Sequence, residues 1–127
     1  MSKSVVLTEK APQPIGPYSQ AVRAGDFLFC SGQIPLDASS GQVASSDVTE
    51  QAKKVMENLG SVLTAAGCSW DSVVKSTIFL KSMNDFSKVN EVYGAYFKST
   101  PPARSTIEVS RLPKDVLVEI EVVAYCR

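Results

Sequence analysis

From Asp47 onward the apolar residues fall at Val48, Ala52, Val55, Met56, Leu59, Val62, Leu63 and Ala66. Spacings of three and four put them on one face of a helix. Asp47 is the natural N-cap, with Glu50 three residues on, and Gly67 is the natural stop. Val73 to Leu80 is rich in β-branched residues and predicts a strand. Asn84 or Asp85 caps a second helix with a buried stripe of Phe86, Val89, Tyr93, Tyr96 and Phe97, ended by Thr100-Pro-Pro102. Upstream, Val5 to Thr8, Ser19 to Val22 and Phe27 to Ser31 read as strands, the last two flanking the hairpin chemistry of Ala24-Gly25-Asp26. The prolines of Ala11-Pro-Gln-Pro-Ile-Gly-Pro17 make that stretch an ordered loop or edge, and residues 34 to 46 read as a loop. Two more strands, about Arg104 to Ser110 and Val116 to Tyr125, are separated by a turn at Leu112-Pro-Lys-Asp115.

The order β-β-β-α-β-α-β-β predicts an α+β fold in which two helices cover one face of a mixed sheet. Nothing in the chain is left to cover the other face. Along the last strand, alternation puts Val116, Val118, Ile120, Val122 and Ala124 on one side and Leu117, Glu119, Glu121, Val123 and Tyr125 on the other. The first set is helix-covered core. The second is half apolar, which predicts burial against further subunits in a closed ring. Its two carboxylates interrupt an apolar face, and each needs a cation, a hydrogen-bonding network or a chemical task. Two readings stand open: pairing with Lys or Arg across a subunit boundary, or catalysis by one of them.

The 127 residues make one expected domain, 1–127, and 44% hydrophobic residues supply its core. Thirteen basic and thirteen acidic side chains cancel to zero net charge, so nonspecific nucleic-acid binding is not expected. Histidine is absent, which removes the Ser-His-Asp and Cys-His triads and the commonest neutral metal ligand. Catalysis must rest on carboxylates, hydroxyls, thiols, Arg, Lys or backbone groups. Cys30, Cys68 and Cys126 form no C-x-x-C pair and are expected as reduced thiols. No apolar run is long enough to span a membrane, and Met1 to Lys10 has neither an h-region nor an Arg-rich amphipathic face. A cytoplasmic protein is expected, or an organellar one where a presequence has been removed.

Arg104 follows the Pro-Pro break at the start of a strand, where a guanidinium can project from a rigid rim and grip a carboxylate or phosphate with two parallel hydrogen bonds. The alternative is an ordinary solvated or ion-paired arginine. Arg111, beside the Leu-Pro-Lys turn, fits that alternative better.

Six ordered stretches carry a resemblance: Ile15-Gly-Pro-Tyr-Ser-Gln-Ala21, Ser31-Gly-Gln-Ile-Pro35, Asn84-Asp-Phe with Val89-Asn-Glu-Val-Tyr93, Pro102-Ala-Arg-Ser105, Leu112-Pro-Lys-Asp115 and Val118-Glu-Ile-Glu121. In that order they resemble the Rid family, the reactive intermediate deaminases, also called the YjgF or liver perchloric-acid-soluble protein family. The resemblance implies a chorismate-mutase-like fold of the bacillus type, with a six-stranded mixed sheet, two helices on one face, a homotrimeric barrel and ligand clefts between subunits. It implies hydrolysis of reactive 2-enamines and 2-imines, such as 2-aminoacrylate and 2-iminopropanoate, to 2-oxo acids and ammonia, without metal or organic cofactor. The family's carboxylate-binding arginine falls on Arg104 and its water-orienting glutamate on Glu119. Its lining residues fall on Tyr18, Ser31, Gly32 and Asn90. Many members carry a cysteine where this chain has Thr106, so a thiol role there is not expected. Cys30, beside Ser31, is expected to face the core as a small hydrophobe.

The other functional readings are a noncatalytic trimeric binder of small 2-oxo or amino acids and a ribonuclease-like inhibitor of translation. Zero net charge and missing histidine speak against the second, since RNA cleavage ordinarily wants a cationic groove and an acid-base pair. Within the resemblance, Tyr18 can instead brace the Pro-rich loop, Ser31 cap a strand end and Asn90 be a helix-surface amide.

Overall fold

A computed structural model describes residues 2–127. Its elements are β1 (Lys3–Val6), β2 (Ala21–Ala24), β3 (Phe27–Gln33), α1 (Val48–Ala65), β4 (Val73–Leu80), α2 (Phe86–Gly94), β5 (Ala103–Glu108) and β6 (Val118–Tyr125). They form one six-stranded sheet in the order β1-β2-β3-β6-β4-β5, antiparallel except where β4 and β5 run parallel. This is the mixed sheet with two helices that the strand and helix order predicts. Gly25, at φ +61°, takes the first position of the two-residue β2–β3 turn, where a left-handed backbone suits the twist of the hairpin.

The core lies between the helices and one sheet face. Val118, Ile120, Val122 and Ala124 of β6 are buried there with Leu28 of β3, Ile78 and Leu80 of β4, and the α1 stripe. Asp47 caps α1 by accepting from the Glu50 amide at 3.0 Å, and Gly67 follows its end at φ +77°. Two polar residues of α1 are buried as well. Gln51 accepts from Leu117 N (2.8 Å) and donates to Ser45 O, while Asn58 donates to Leu36 O (3.0 Å). They tie the 34–46 loop and the start of β6 to the helix, because a buried amide left unpaired is costly.

The opposite face carries Phe27, Phe29 and Tyr125, which are 42%, 50% and 43% exposed. Phe27 lies 6.4 Å from Phe29 and 5.1 Å from Tyr125, ring centre to ring centre, so the three form one apolar patch.

Three expectations need correction. The second helix stops at Gly94, a poor helix former, and Tyr96 and Phe97 lie beyond it, packed tilted and edge-on against Trp70 with ring centres 5.1 and 5.5 Å away. Neither Asn84 nor Asp85 is its side-chain cap. A single 3-10 turn, Met83–Asp85, precedes it, and Ser82 caps that turn. Finally, Cys68 and Cys126 are joined in a disulfide, with Cα atoms 5.9 Å apart, where all three cysteines were expected reduced. The two are 58 residues apart in sequence, and only the fold brings the end of β6 beside the end of α1. Cys30 remains free and buried, its thiol pushed up to about 12 by desolvation. Among the described residues no helix is long and apolar enough to cross a membrane.

Candidate active site

The candidate residues assemble into two groups. Tyr18, Ser31, Gly32 and Glu119 gather in a cleft of about 500 Å³ whose other walls include Pro12, Ile15, Ile34 and Pro113. The Pro-rich loop reaches it because the buried Gln20 acts as a hub. Its side chain accepts from Thr8 N at 2.7 Å and donates to Thr8 O (3.0 Å) and Pro12 O (2.9 Å). Gln20 sits inside the Ile15–Ala21 motif, but only the fold shows that its amide holds one wall of the cleft.

Ser31 lies on β3 within the register shift between Cys30 and Gln33. Its hydroxyl donates to Ser19 O at 2.6 Å, leaving its oxygen to accept. Cys30 points the other way into the core, as alternation predicts. The Tyr18 hydroxyl accepts from Ile15 N at 3.4 Å, which leaves its own O–H to donate; the residue is 53% exposed and within reach of a ligand. The bracing role and the ligand role of Tyr18 are therefore compatible.

Glu119 stands on the open face of β6, between buried Val118 and Ile120 and opposite Phe79 of β4. A Cβ on Gly32 would overlap its carboxylate, so the absence of a side chain at 32 is what makes room for it. Burial raises the pKa of Glu119 above the ordinary carboxylate range, and the charge of Glu121 adds to the rise. Among the described residues neither glutamate forms an ion pair within the chain. A half-buried carboxyl with elevated pKa and no cation beside it is suited to accept a proton from water.

Asn90 and Arg104 form the second group, at the β5 edge. Arg104 pairs in register with the fully buried Ser76, which places it on the helix side of the sheet. Its guanidinium lies 5.5 Å from the centre of the Phe86 ring and 5.1 Å from that of Tyr93, and donates to Asn90 Oδ1 at 2.7 Å. Tyr93 is fixed below by a hydrogen bond from its hydroxyl to Ser76 Oγ, 2.9 Å. The platform residues Phe86 and Tyr93 carry a signal in the sequence, the helical stripe, but that stripe reads as core alone. Asn90 is thus not a free surface amide. Arg111, by contrast, is exposed and paired with Asp115 at 2.6 Å, the ordinary surface role expected of it.

The two groups do not meet within one chain. Arg104 is registered with Ser76 on the helix face, and Glu119 with Phe79 on the open face. Among the described residues no cluster of three or more His, Cys, Asp or Glu is placed to hold a metal ion.

A family model described as Endoribonuclease L-PSP matches residues 8–126. A RutC family protein of Pyrococcus abyssi is 55% identical over 125 residues, covering 98% of each chain. The chain belongs to the Rid family. The human protein named 2-iminobutanoate/2-iminopropanoate deaminase is 51% identical to this Rid chain over 96% of it and 89% of the human sequence. The crystal structure of YyfA from Yersinia pestis, described as a protein of unknown function of the conserved Rid family, superposes with a TM-score of 0.95 at 49% identity, covering 98% of this chain and 99% of that one.

Proposed function

We propose that this Rid protein hydrolyses small 2-enamines and 2-imines, such as 2-aminoacrylate and 2-iminopropanoate, to 2-oxo acids and ammonia. The observation that carries the reading is the division of the site. A carboxylate-sized cation clamp, Arg104 with Asn90, lies on one side of the sheet, and a cleft with a proton-accepting Glu119 lies on the other. Such halves work together only when a second copy of the chain sets its Arg104 against this chain's Glu119 cleft. The exposed Phe27, Phe29 and Tyr125 patch supplies an apolar surface for that assembly, and a homotrimer closes it with three equivalent clefts.

Arg104 holds the substrate carboxylate through two N–H donors, its plane set by Phe86 and Tyr93. An enamine first takes a proton on its terminal carbon to become the iminium, whose C2 is electrophilic. Glu119 orients a water and takes its proton as oxygen bonds to C2, giving a carbinolamine. Glu119 returns that proton to nitrogen, and cleavage of the C–N bond, with the hydroxyl proton passing back to Glu119 as the C=O bond forms, releases ammonia and leaves the 2-oxo acid. Tyr18 donates a hydrogen bond to, and Ser31 accepts one from, the polar atoms at the reacting carbon. No step calls for histidine. The human deaminase named above supports this substrate class.

The test is a coupled reaction in which a dehydratase or amino-acid oxidase generates the imine, with ammonia release followed with and without the protein. Acceleration dependent on Arg104 supports the proposal. Binding of 2-oxo acids without turnover identifies a sensor instead.

A further inference from the structure

Arg23 lies on β2 opposite the fully buried Leu28, so its side chain points to the helix side, away from the cleft and from Arg104. There it gathers four acceptors. Nη1 donates to Cys126 O at 2.8 Å and Nη2 to Ala66 O at 2.5 Å, and Nη2 lies 3.6 Å from Cys68 Sγ and 3.7 Å from Cys126 Sγ. A single guanidinium thus bridges the carbonyl that caps the end of α1, the end of β6 and both sulfurs of the cystine. Cys68 also lines a solvent-open groove of about 630 Å³ together with Lys10, Glu57, Ser69 and Trp70.

We propose that Cys68–Cys126 is a redox-active cystine, opened by small thiol or dithiol reductants that enter through this groove and re-formed by small disulfides, with Arg23 as its positioning residue. A purely structural cystine needs neither a cation on its sulfurs nor a place on the wall of an open groove; here Arg23 meets both sulfurs, and Cys68, itself only 9% exposed, lies on that wall. In the forward direction a reductant thiolate attacks one sulfur. The mixed disulfide then resolves when the reductant's second thiolate attacks the reductant sulfur and closes the reductant's own disulfide. The two electrons end on Cys68 and Cys126, which leave as thiolates and take up two protons from water. Arg23 stabilises each leaving thiolate by a charge-assisted contact, which speeds departure and keeps the reduced pair reactive for re-oxidation. The carbonyl bonds to Ala66 and Cys126 keep the guanidinium in place while the sulfurs are apart. Opening the bond releases the end of β6 from the end of α1 across a 58-residue separation, so the reduced form is the less stable one.

Thiol counting on the folded, full-length protein tests this. After treatment with oxidised glutathione, denaturation in an alkylating agent should modify one cysteine, Cys30. After dithiothreitol is applied to the folded protein it should modify three, and a return to oxidised glutathione should restore one. The melting midpoint should fall by roughly 5 to 15 °C on reduction and recover on re-oxidation. A Cys68→Ser variant should melt at one temperature under both conditions. Arg23→Gln should slow re-oxidation of the reduced protein about tenfold and move the pH at which Cys68 and Cys126 become alkylated upward. Three modifiable thiols after oxidised glutathione, or a cystine that resists dithiothreitol until the protein unfolds, overturns the proposal. An unchanged re-oxidation rate and pH profile in Arg23→Gln overturns the role of the arginine.

Discussion

Gly32 and Glu119 share one space: a methyl group at 32 would overlap the Glu119 carboxylate. The glycine is needed there because a neighbouring strand carries a half-buried acid at the same level of the sheet. Gly32→Ala should therefore displace the carboxylate, cutting imine hydrolysis by about tenfold or more, with little loss of stability because the overlapped atom is the free end of a flexible side chain. Coupled ammonia release and a denaturant melt on one preparation measure both.

In the proposed reaction Arg104 acts through geometry as much as charge. Lysine keeps the charge but loses the planar fork and its stacking on Phe86 and Tyr93. Arg104→Lys should lose about 1.5 to 3 kcal/mol of substrate-carboxylate binding, roughly tenfold to a hundredfold in kcat/KM, with assembly intact by sedimentation.

Tyr93→Phe keeps the ring beneath Arg104 and removes the bond to Ser76. The buried Ser76 hydroxyl is then left unpaired, so the variant should be less stable by about 1 to 3 kcal/mol while kcat changes little. Thermal unfolding together with steady-state kinetics separates the two effects.

The raised pKa of Glu119 fixes opposite pH trends for stability and turnover. Its carboxyl holds its proton to higher pH in the folded chain than in the unfolded one, by burial first and by repulsion from Glu121 second. Its favourable contribution to stability is therefore full below the ordinary carboxylate range and is lost as pH rises through the raised native value. Glu119→Gln should abolish that loss, melting no lower than the parent at neutral pH, while turnover falls about 10² to 10⁴-fold. In the parent, turnover should rise with pH over the range in which this increment of stability disappears. Melting and rate profiles from pH 4 to about 8 check both signs.

Local pattern made the helix α1 readable because cap, stripe and stop all agreed: Asp47, Val48 through Leu63, and Gly67. The alternation in β6 likewise predicted which of its side chains are core and set Glu119 and Glu121 apart. What local pattern does not contain is distance between remote segments. Asn90 joins Arg104 only because α2 lies beside β5, and Gln20 serves the cleft only because its amide meets a backbone twelve residues back. The Cys68–Cys126 pairing was missed for the same reason. Motif register picked out the six candidate residues, but their division between two sheet faces depends on strand order, which no single motif encodes.

That division makes subunit mixing the most direct test of the account. Arg104→Lys and Glu119→Gln chains, each with at most about a tenth of the parent activity alone, are unfolded together in equal amounts and refolded. If each cleft takes Arg104 from one subunit and Glu119 from its neighbour, random trimers should restore both groups in about one quarter of clefts, and ammonia release should recover to about that fraction of the parent rate. Mixed trimers, verified by mass, that show no activity beyond the two variants alone would contradict a site shared between subunits.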